Sequence, residues 1–234
     1  MEKIFQDDAY ARSCEAIVKM VDERGIQLDR TVFYPTGGGQ PGDTGILTTK
    51  DGIAVNIVNS IKVDDQNTVL HVLANESPPI ALGTQVNATI DWDRRHRLMR
   101  MHTCMHLLSA IVPFPVTGGQ VREEKGRLDF DISEHSLDKE SITAELNRLI
   151  DEDHPVMSEW ITDNELDAQP DLIKTMSVKP PRGSGRVRLI RIEGQDLQPC
   201  GGTHVQRTKE IGHVQVDKIQ SKGKQNRRIS ISFT

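Results

Sequence analysis

Cysteine is scarce in this 234-residue chain, which holds only Cys14, Cys104 and Cys200. An odd count this low excludes a disulfide framework and suits a reducing compartment, with one thiolate available as a ligand. Long apolar runs are missing too. No stretch of about 18 apolar residues occurs, and Met1 to Asp8 has neither a basic start nor an apolar core, so the sequence predicts no membrane span and no secretory signal. The expected location is the cytoplasm. Nor is there a basic excess. The net charge of −5 argues against coating nucleic acid by bulk attraction, so any RNA contact has to be local. His-Glu-x-x-His is absent as well, which removes the general-base glutamate of a metallopeptidase.

What the chain does have is two pairs of metal-binding side chains. His102 and His106 lie in Met101-His102-Thr103-Cys104-Met105-His106, and Cys200 and His204 in Cys200-Gly201-Gly202-Thr203-His204. Each pair is spaced i, i+4, which on a helix stacks the partners one turn apart, about 5–6 Å, facing the same way. Two such pairs can close on one ion. Imidazole nitrogen and thiolate sulfur together suit Zn²⁺, so the set reads as a zinc site rather than as two unrelated motifs.

Periodicity divides the chain near residue 90. Short β-prone runs, Ile53 to Val58, Thr68 to Leu73 and Gln85 to Ile90, recur between Gly, Asn, Asp and Pro clusters and predict a small β-barrel domain over residues 1–90. Residues 91–234 read as a separate α+β domain. Asp91-Trp92-Asp93 supplies a capping carboxylate for a helix to about Ile111 with an apolar stripe of Leu98, Met101, Met105, Leu108 and Ile111, stopped by Pro113 and Pro115. Lys125 to Ile132 reads as a strand, Leu137 to Asp153 as an amphipathic helix capped by Ser136, and Val156 to Ile161 as a strand. A capping box at Thr162 and Glu165 opens a short helix that Pro170 closes, and Lys179 to Gly185 reads as a loop. Arg186 to Ile192, Gly212 to Ile219 and Arg227 to Phe233 alternate like an antiparallel sheet. The expected fold class is α+β.

Three basic clusters could meet RNA locally. They are Arg94, Arg95, Arg97 and Arg100; Lys179 to Arg188; and Lys218, Lys222, Lys224, Arg227 and Arg228. Thr31 to Asp43 adds a glycine-rich turn, Thr36-Gly37-Gly38-Gly39-Gln40-Pro41-Gly42, whose backbone N–H groups could approach a phosphate or a ribose. It lacks the Lys-Ser/Thr of a P-loop, so nucleoside triphosphate binding is not expected.

Thr31 to Gly45, Arg100 to Leu108 and Cys200 to Val205 together resemble the editing region of alanyl-tRNA synthetase, and most of all its free-standing relatives, the AlaX editing proteins. The resemblance covers nearly the whole chain. It implies a β-barrel followed by a zinc-binding editing domain, the medium-length form of the family. The implied activity is ATP-independent hydrolysis, in trans, of Ser-tRNA(Ala) and of Gly-tRNA(Ala), a step of translation fidelity that requires neither a membrane nor an obligate protein partner. Editing of Ser-tRNA(Thr), as in the related threonyl system, and a non-catalytic zinc-stabilised tRNA-binding module are the alternatives.

The chemistry of that task singles out further residues. An editing zinc needs an open position, whereas four permanent ligands, His102, His106, Cys200 and His204, would close the site. His204 is therefore the candidate to alternate between ligand and base. Alanine fits wherever serine fits, so the site must hydrogen-bond the serine hydroxyl and leave polar groups unpaired when alanine enters. Thr117 and Gln120, just after the histidine helix, are the candidates for that contact.

Overall fold

The computed structural model of the chain describes residues 1–63, 68–132, 137–175, 185–223 and 225–234. It is α+β and forms two units, Met1–His96 and Arg97–Thr234. Among the described residues no helix is long and apolar enough to cross a membrane.

In the first unit β1 (Glu2–Lys3) pairs in parallel with β4 (Arg30–Thr31), and α1 (Ile4–Asp7) follows β1. Six strands, β2 (Ser13–Asp22), β3 (Gly25–Leu28), β5 (Gly45–Thr49), β6 (Ala54–Lys62), β7 (Val69–Leu73) and β8 (Gln85–Ile90), make a closed antiparallel barrel in the order β2-β3-β7-β6-β5-β8. Alternate residues point inward. Ala16, Val18, Ile26, Leu28, Leu47, Val55, Ile57, Val86 and Ala88 fill the interior, and closure leaves no strand edge open to another chain. β2 is hard to read in the sequence because Ile17 and Val21 face outward, which blurs the period of two.

The glycine-rich turn is more self-contained than its sequence suggests. The Gly37 and Gln40 N–H groups donate to each other's carbonyls at 3.0 Å, and the Gly42 N–H donates to Thr36 Oγ1 at 2.9 Å. A Cβ at Gly42 would stand 2.0 Å from the Ser60 carbonyl oxygen, so only glycine permits this approach. Asp43 ends the turn, and its Oδ2 accepts from the Tyr34 N–H at 2.6 Å.

α2 (Trp92–Ile111) carries the chain into the second unit, and the Asp91 carboxylate accepts from the Arg94 N–H at its start. The expected apolar stripe is too narrow a description. Every residue from Met101 to Ser109 is buried, so this stretch of the helix is core on all sides. A four-stranded sheet runs β14 (Val214–Ser221), β15 (Asn226–Phe233), β10 (Lys125–Asp131) and β9 (Val116–Val121). Gly126 of β10 lies against α2, where an added Cβ would sit 2.8 Å from Met101 Sδ and 2.9 Å from Met105 Sδ. A three-stranded sheet runs β11 (Val156–Thr162), β12 (Arg186–Ile192) and β13 (Asp196–Pro199).

α3 (Lys139–Asp151) starts later than its sequence pattern suggests, because Asp138 supplies the cap and its carboxylate accepts from the Ser141 N–H at 2.7 Å. Ser136 lies outside the described residues, as do 179–184 of the predicted loop and Lys224. α3 buries Ile142, Leu146, Leu149 and Ile150, one face at i, i+4, i+7 and i+8. Both halves of the Thr162/Glu165 capping box are made at the start of α4 (Asp163–Asp167).

Of the arginines before the histidine pair, Arg95 is buried and the other three are half-buried and partnered within the protein. Arg95 is fully buried with Asp43, Arg94 donates to the Gly42 carbonyl, and Arg97 pairs with Glu123 at 2.8 Å. Arg100 donates to the Ile211 carbonyl at 2.8 Å and lies over the Phe233 ring.

Candidate metal centre

α2 positions two of the four side chains. One turn separates His102 from His106, and their ring centroids are 5.4 Å apart, as the i, i+4 spacing requires. The other two come from the segment after β13. Cys200 leaves that strand with its N–H on the Arg188 carbonyl, and the buried Arg188 guanidinium donates to the carbonyls of Cys200 and Gly202 at 3.2 and 2.8 Å. The Gly202 N–H points at the Cys200 sulfur, 3.4 Å away, so the tandem glycines wrap the backbone around the thiol.

The four side chains converge. Their ligand atoms all lie within 4.8 Å of one another and could hold a metal ion. Cys200 Sγ is 3.3 Å from His204 Nε2 and 3.6 Å from His102 Nε2. A tetrahedral ion with bonds of about 2.0–2.3 Å separates its ligand atoms by about 3.3–3.7 Å, so these spacings fit.

A layer of polar groups stands behind the cluster. Asp196 Oδ2 is 3.1 Å from His106 Nδ1, while Asp196 Oδ1 receives Lys174 Nζ at 2.6 Å. Gln198 Nε2 donates to Asp196 Oδ2 at 2.7 Å and to Ser109 Oγ at 3.0 Å, and Ser109 donates to the His106 carbonyl. Carboxylate-to-imidazole contacts of this kind orient a ligating ring and raise its basicity. On the other side Thr103 Oγ1 is 3.1 Å from His204 Nδ1.

This setting pulls the titration of Cys200, His204 and His106 apart. Burial opposes a thiolate at Cys200, but His102 and His204 hold its thiol well below the usual range. Burial and the neighbouring His102 keep His204 well below the usual histidine range. Burial works against charge on His106 as well, yet there Asp196 and Cys200 prevail and raise it to about 9. Asp196, pushed up by burial, is drawn below the usual carboxylate range by His106 and Lys174. Cys104 stands apart, since burial pushes its thiol up to about 12. It rides the same helix as the histidines and does not belong to the group.

Thr117 and Gln120 are engaged within the sheet. Thr117 Oγ1 donates to the Asp129 carbonyl at 3.2 Å and accepts from Asn226 Nδ2 at 2.9 Å, and Gln120 Oε1 accepts from Arg127 Nε at 3.3 Å. Asp196, Gln198, Ser109, Lys174 and Arg188 escape sequence reasoning. The one available signal was the Asp196/Gln198 alternation, which puts two polar side chains on one face of a strand leading straight to Cys200.

Residues 187–230 match the model of the threonyl and alanyl tRNA synthetase second additional domain, and residues 3–94 match that of the class II (A) tRNA synthetases. Over 237 residues the chain is 35% identical to the alanyl-tRNA editing protein AlaX-M of Methanosarcina acetivorans, spanning 97% of each. It is 32% identical over 232 residues to the protein of the same name from Saccharolobus solfataricus, again spanning 97% of each. Similarity to the alanine–tRNA ligase of Saccharolobus islandicus, 34% over 228 residues, spans 94% of this chain and 25% of the ligase.

Proposed function

The chain belongs to the family of AlaX-M alanyl-tRNA editing proteins, and from that membership we propose that it is a cytoplasmic hydrolase that removes wrongly attached serine, and also glycine, from tRNA(Ala) in trans. The observation that carries this reading is the convergence of four N and S ligand atoms within 4.8 Å in a chain similar to editing proteins from end to end.

Zinc is the ion this donor set favours, because three imidazoles and a thiolate match its softness and its tetrahedral preference. Bound there by His102, His106, Cys200 and His204, it would supply Lewis-acid polarisation of the substrate or of a water. The residues of the chain do the rest. Cys200, with its thiol held low, supplies the charge that anchors the ion, and Asp196 keeps the His106 ring in place. His204 is the ligand proposed to leave and act as base.

Serine is read through its hydroxyl, with Thr117 and Gln120 as the proposed readers. A chain of contacts ties the start of their strand to the ligand cluster. The Val116 N–H at the head of that strand donates to the Lys174 carbonyl, and Lys174 Nζ reaches Asp196, which holds His106. An alanyl pocket made of apolar contacts alone would accept both amino acids, whereas an unpaired polar group rejects alanine.

Deacylation assays with Ser-tRNA(Ala), Gly-tRNA(Ala), Ala-tRNA(Ala) and Ser-tRNA(Thr) test the proposal. We expect the first two to be cleaved and Ala-tRNA(Ala) to be spared. Preferred cleavage of Ser-tRNA(Thr) would move the chain to the threonyl system, and no cleavage of any would leave a tRNA-binding module.

A further inference from the structure

Thr103 sits between the two histidines of α2 and is fully buried. Three groups surround its hydroxyl oxygen: the Met99 carbonyl at 3.0 Å, His204 Nδ1 at 3.1 Å and the Val205 N–H at 3.3 Å. A hydroxyl has one proton to donate and two lone pairs to accept with. The Val205 N–H can only donate, which takes one lone pair. Met99 O can only accept. If the Thr103 proton went elsewhere, two oxygen lone pairs would face each other at 3.0 Å in a buried position, where such a mismatch is costly. The proton therefore lies on the Met99 side. The remaining lone pair must meet a donor, and among the described residues His204 Nδ1 is the only group left to provide one.

We propose that Thr103 is a positioning residue: its hydroxyl obliges His204 to carry its proton on Nδ1 and so aims the Nε2 lone pair at the Cys200 sulfur and the metal cluster. The proposal rests on the metal reading given above and adds to it a rule for His204. Only one of its nitrogens is ever available, so ligand and base are the same atom. His204 can accept a substrate proton only after releasing the ion, and no arrangement lets it do both at once. The Met99 carbonyl, the Thr103 hydroxyl and the His204 ring thus form a fixed relay from the helix backbone to the ligand position. The oxygen of Thr103 serves the same purpose for His204 as Asp196 serves for His106, without introducing a charge.

The test is a two-bond ¹H–¹⁵N correlation spectrum of the full-length chain, zinc-loaded and chelator-treated, with zinc affinity measured by competition against a chromophoric chelator. We expect His204 to show a protonated Nδ1 in both states and a metal-shifted Nε2 in the loaded one. Thr103→Val should bind zinc roughly 10- to 100-fold more weakly, the usual effect of losing an outer-layer partner, and Thr103→Ser should restore the affinity. A His204 proton found on Nε2 overturns the proposal, as does a folded Thr103→Val protein that binds zinc as tightly as the parent. Should Thr103→Val fail to fold, the parent spectrum decides alone. A parent chain that takes up no zinc yet keeps the proton on Nδ1 would sustain the role of Thr103 and refute the metal reading.

Discussion

Arg95 of α2 and Asp43 at the end of the glycine-rich turn form an ion pair with no exposure to water, the Arg95 side chain 0% and the Asp43 side chain 1% exposed. Arg95 Nε meets both carboxylate oxygens at 2.9–3.0 Å, and the same guanidinium also caps the Val32 and Ala9 carbonyls. One charge-assisted junction thus joins the start of the helix to the turn and to two stretches of the first unit.

Removing one partner of such a pair strands the other. Asp43→Asn keeps the shape but leaves the Arg95 cation buried, and about 3–5 kcal/mol of stability should be lost. Urea denaturation measures this. A loss below about 1 kcal/mol would show that water reaches the pair and that Arg95 holds its position through the carbonyls.

The metal group gives a sharper expectation. Cys200→Ala removes the only thiolate and should reduce zinc from about one per chain to near zero, with deacylation falling in parallel. Substituting Cys14 or Cys104 should leave zinc content unchanged. Elemental analysis of protein prepared without chelators checks both, and full zinc in Cys200→Ala would refute the ligand set.

Substrate choice tests Thr117. Thr117→Val preserves shape and deletes a hydroxyl, an interaction worth about 0.5–1.5 kcal/mol, so Ser-tRNA(Ala) cleavage should slow several-fold with zinc unchanged. Parallel slowing of serine and residual alanine cleavage would assign Thr117 to its observed partners, the Asp129 carbonyl and the Asn226 amide.

His71 makes the barrel sensitive to acid. Its Nδ1 donates to the Ile26 carbonyl at 3.0 Å and its Nε2 accepts from Thr31 Oγ1 at 2.8 Å, which fixes a neutral ring in a buried interior. Burial lowers its pKa from 6.5 to about 4 in the folded chain. The unfolded chain therefore binds more protons between these values. The His71 contribution is complete above pH 6.5 and is lost as the pH falls toward 4, a change of about 3 kcal/mol. Denaturation of the parent and of His71→Gln across that range isolates the effect, and profiles of equal slope would exclude it.

Much of this architecture was legible in the residues, and what was not follows a pattern. The four residues that converge could be singled out in part because His102 and His106 keep helical i, i+4 spacing, whereas Cys200 and His204 lie on no helix and meet through the glycine turn between them. The barrel could be read in part, where Val55/Ile57 and Val86/Ala88 alternate cleanly, and not at β2, where Ile17 faces outward. Lys174 and Ser109 could not be read at all, and Asp196 only through its alternation with Gln198. Asp196 meets the His106 ring, Lys174 meets Asp196 and Ser109 meets the His106 carbonyl, so three separate segments converge there, and each residue is ordinary in its own neighbourhood. Arg95 was opaque for the same reason. A sequence shows charge but not burial, and Arg95 looks identical whether it faces RNA or a hidden carboxylate.

His102 and Cys200 lie 98 positions apart, so an ion held between them would fasten the ends of a loop spanning two-fifths of the chain. Such a clasp acts on the unfolded ensemble as a disulfide would, and for about 100 residues the chain-entropy effect approaches 4–5 kcal/mol. Unlike a disulfide, it opens and closes with the supply of metal. The durability of the second unit would then track free metal concentration through mass action. Metal supply would therefore set how long the protein lasts as well as whether it can react.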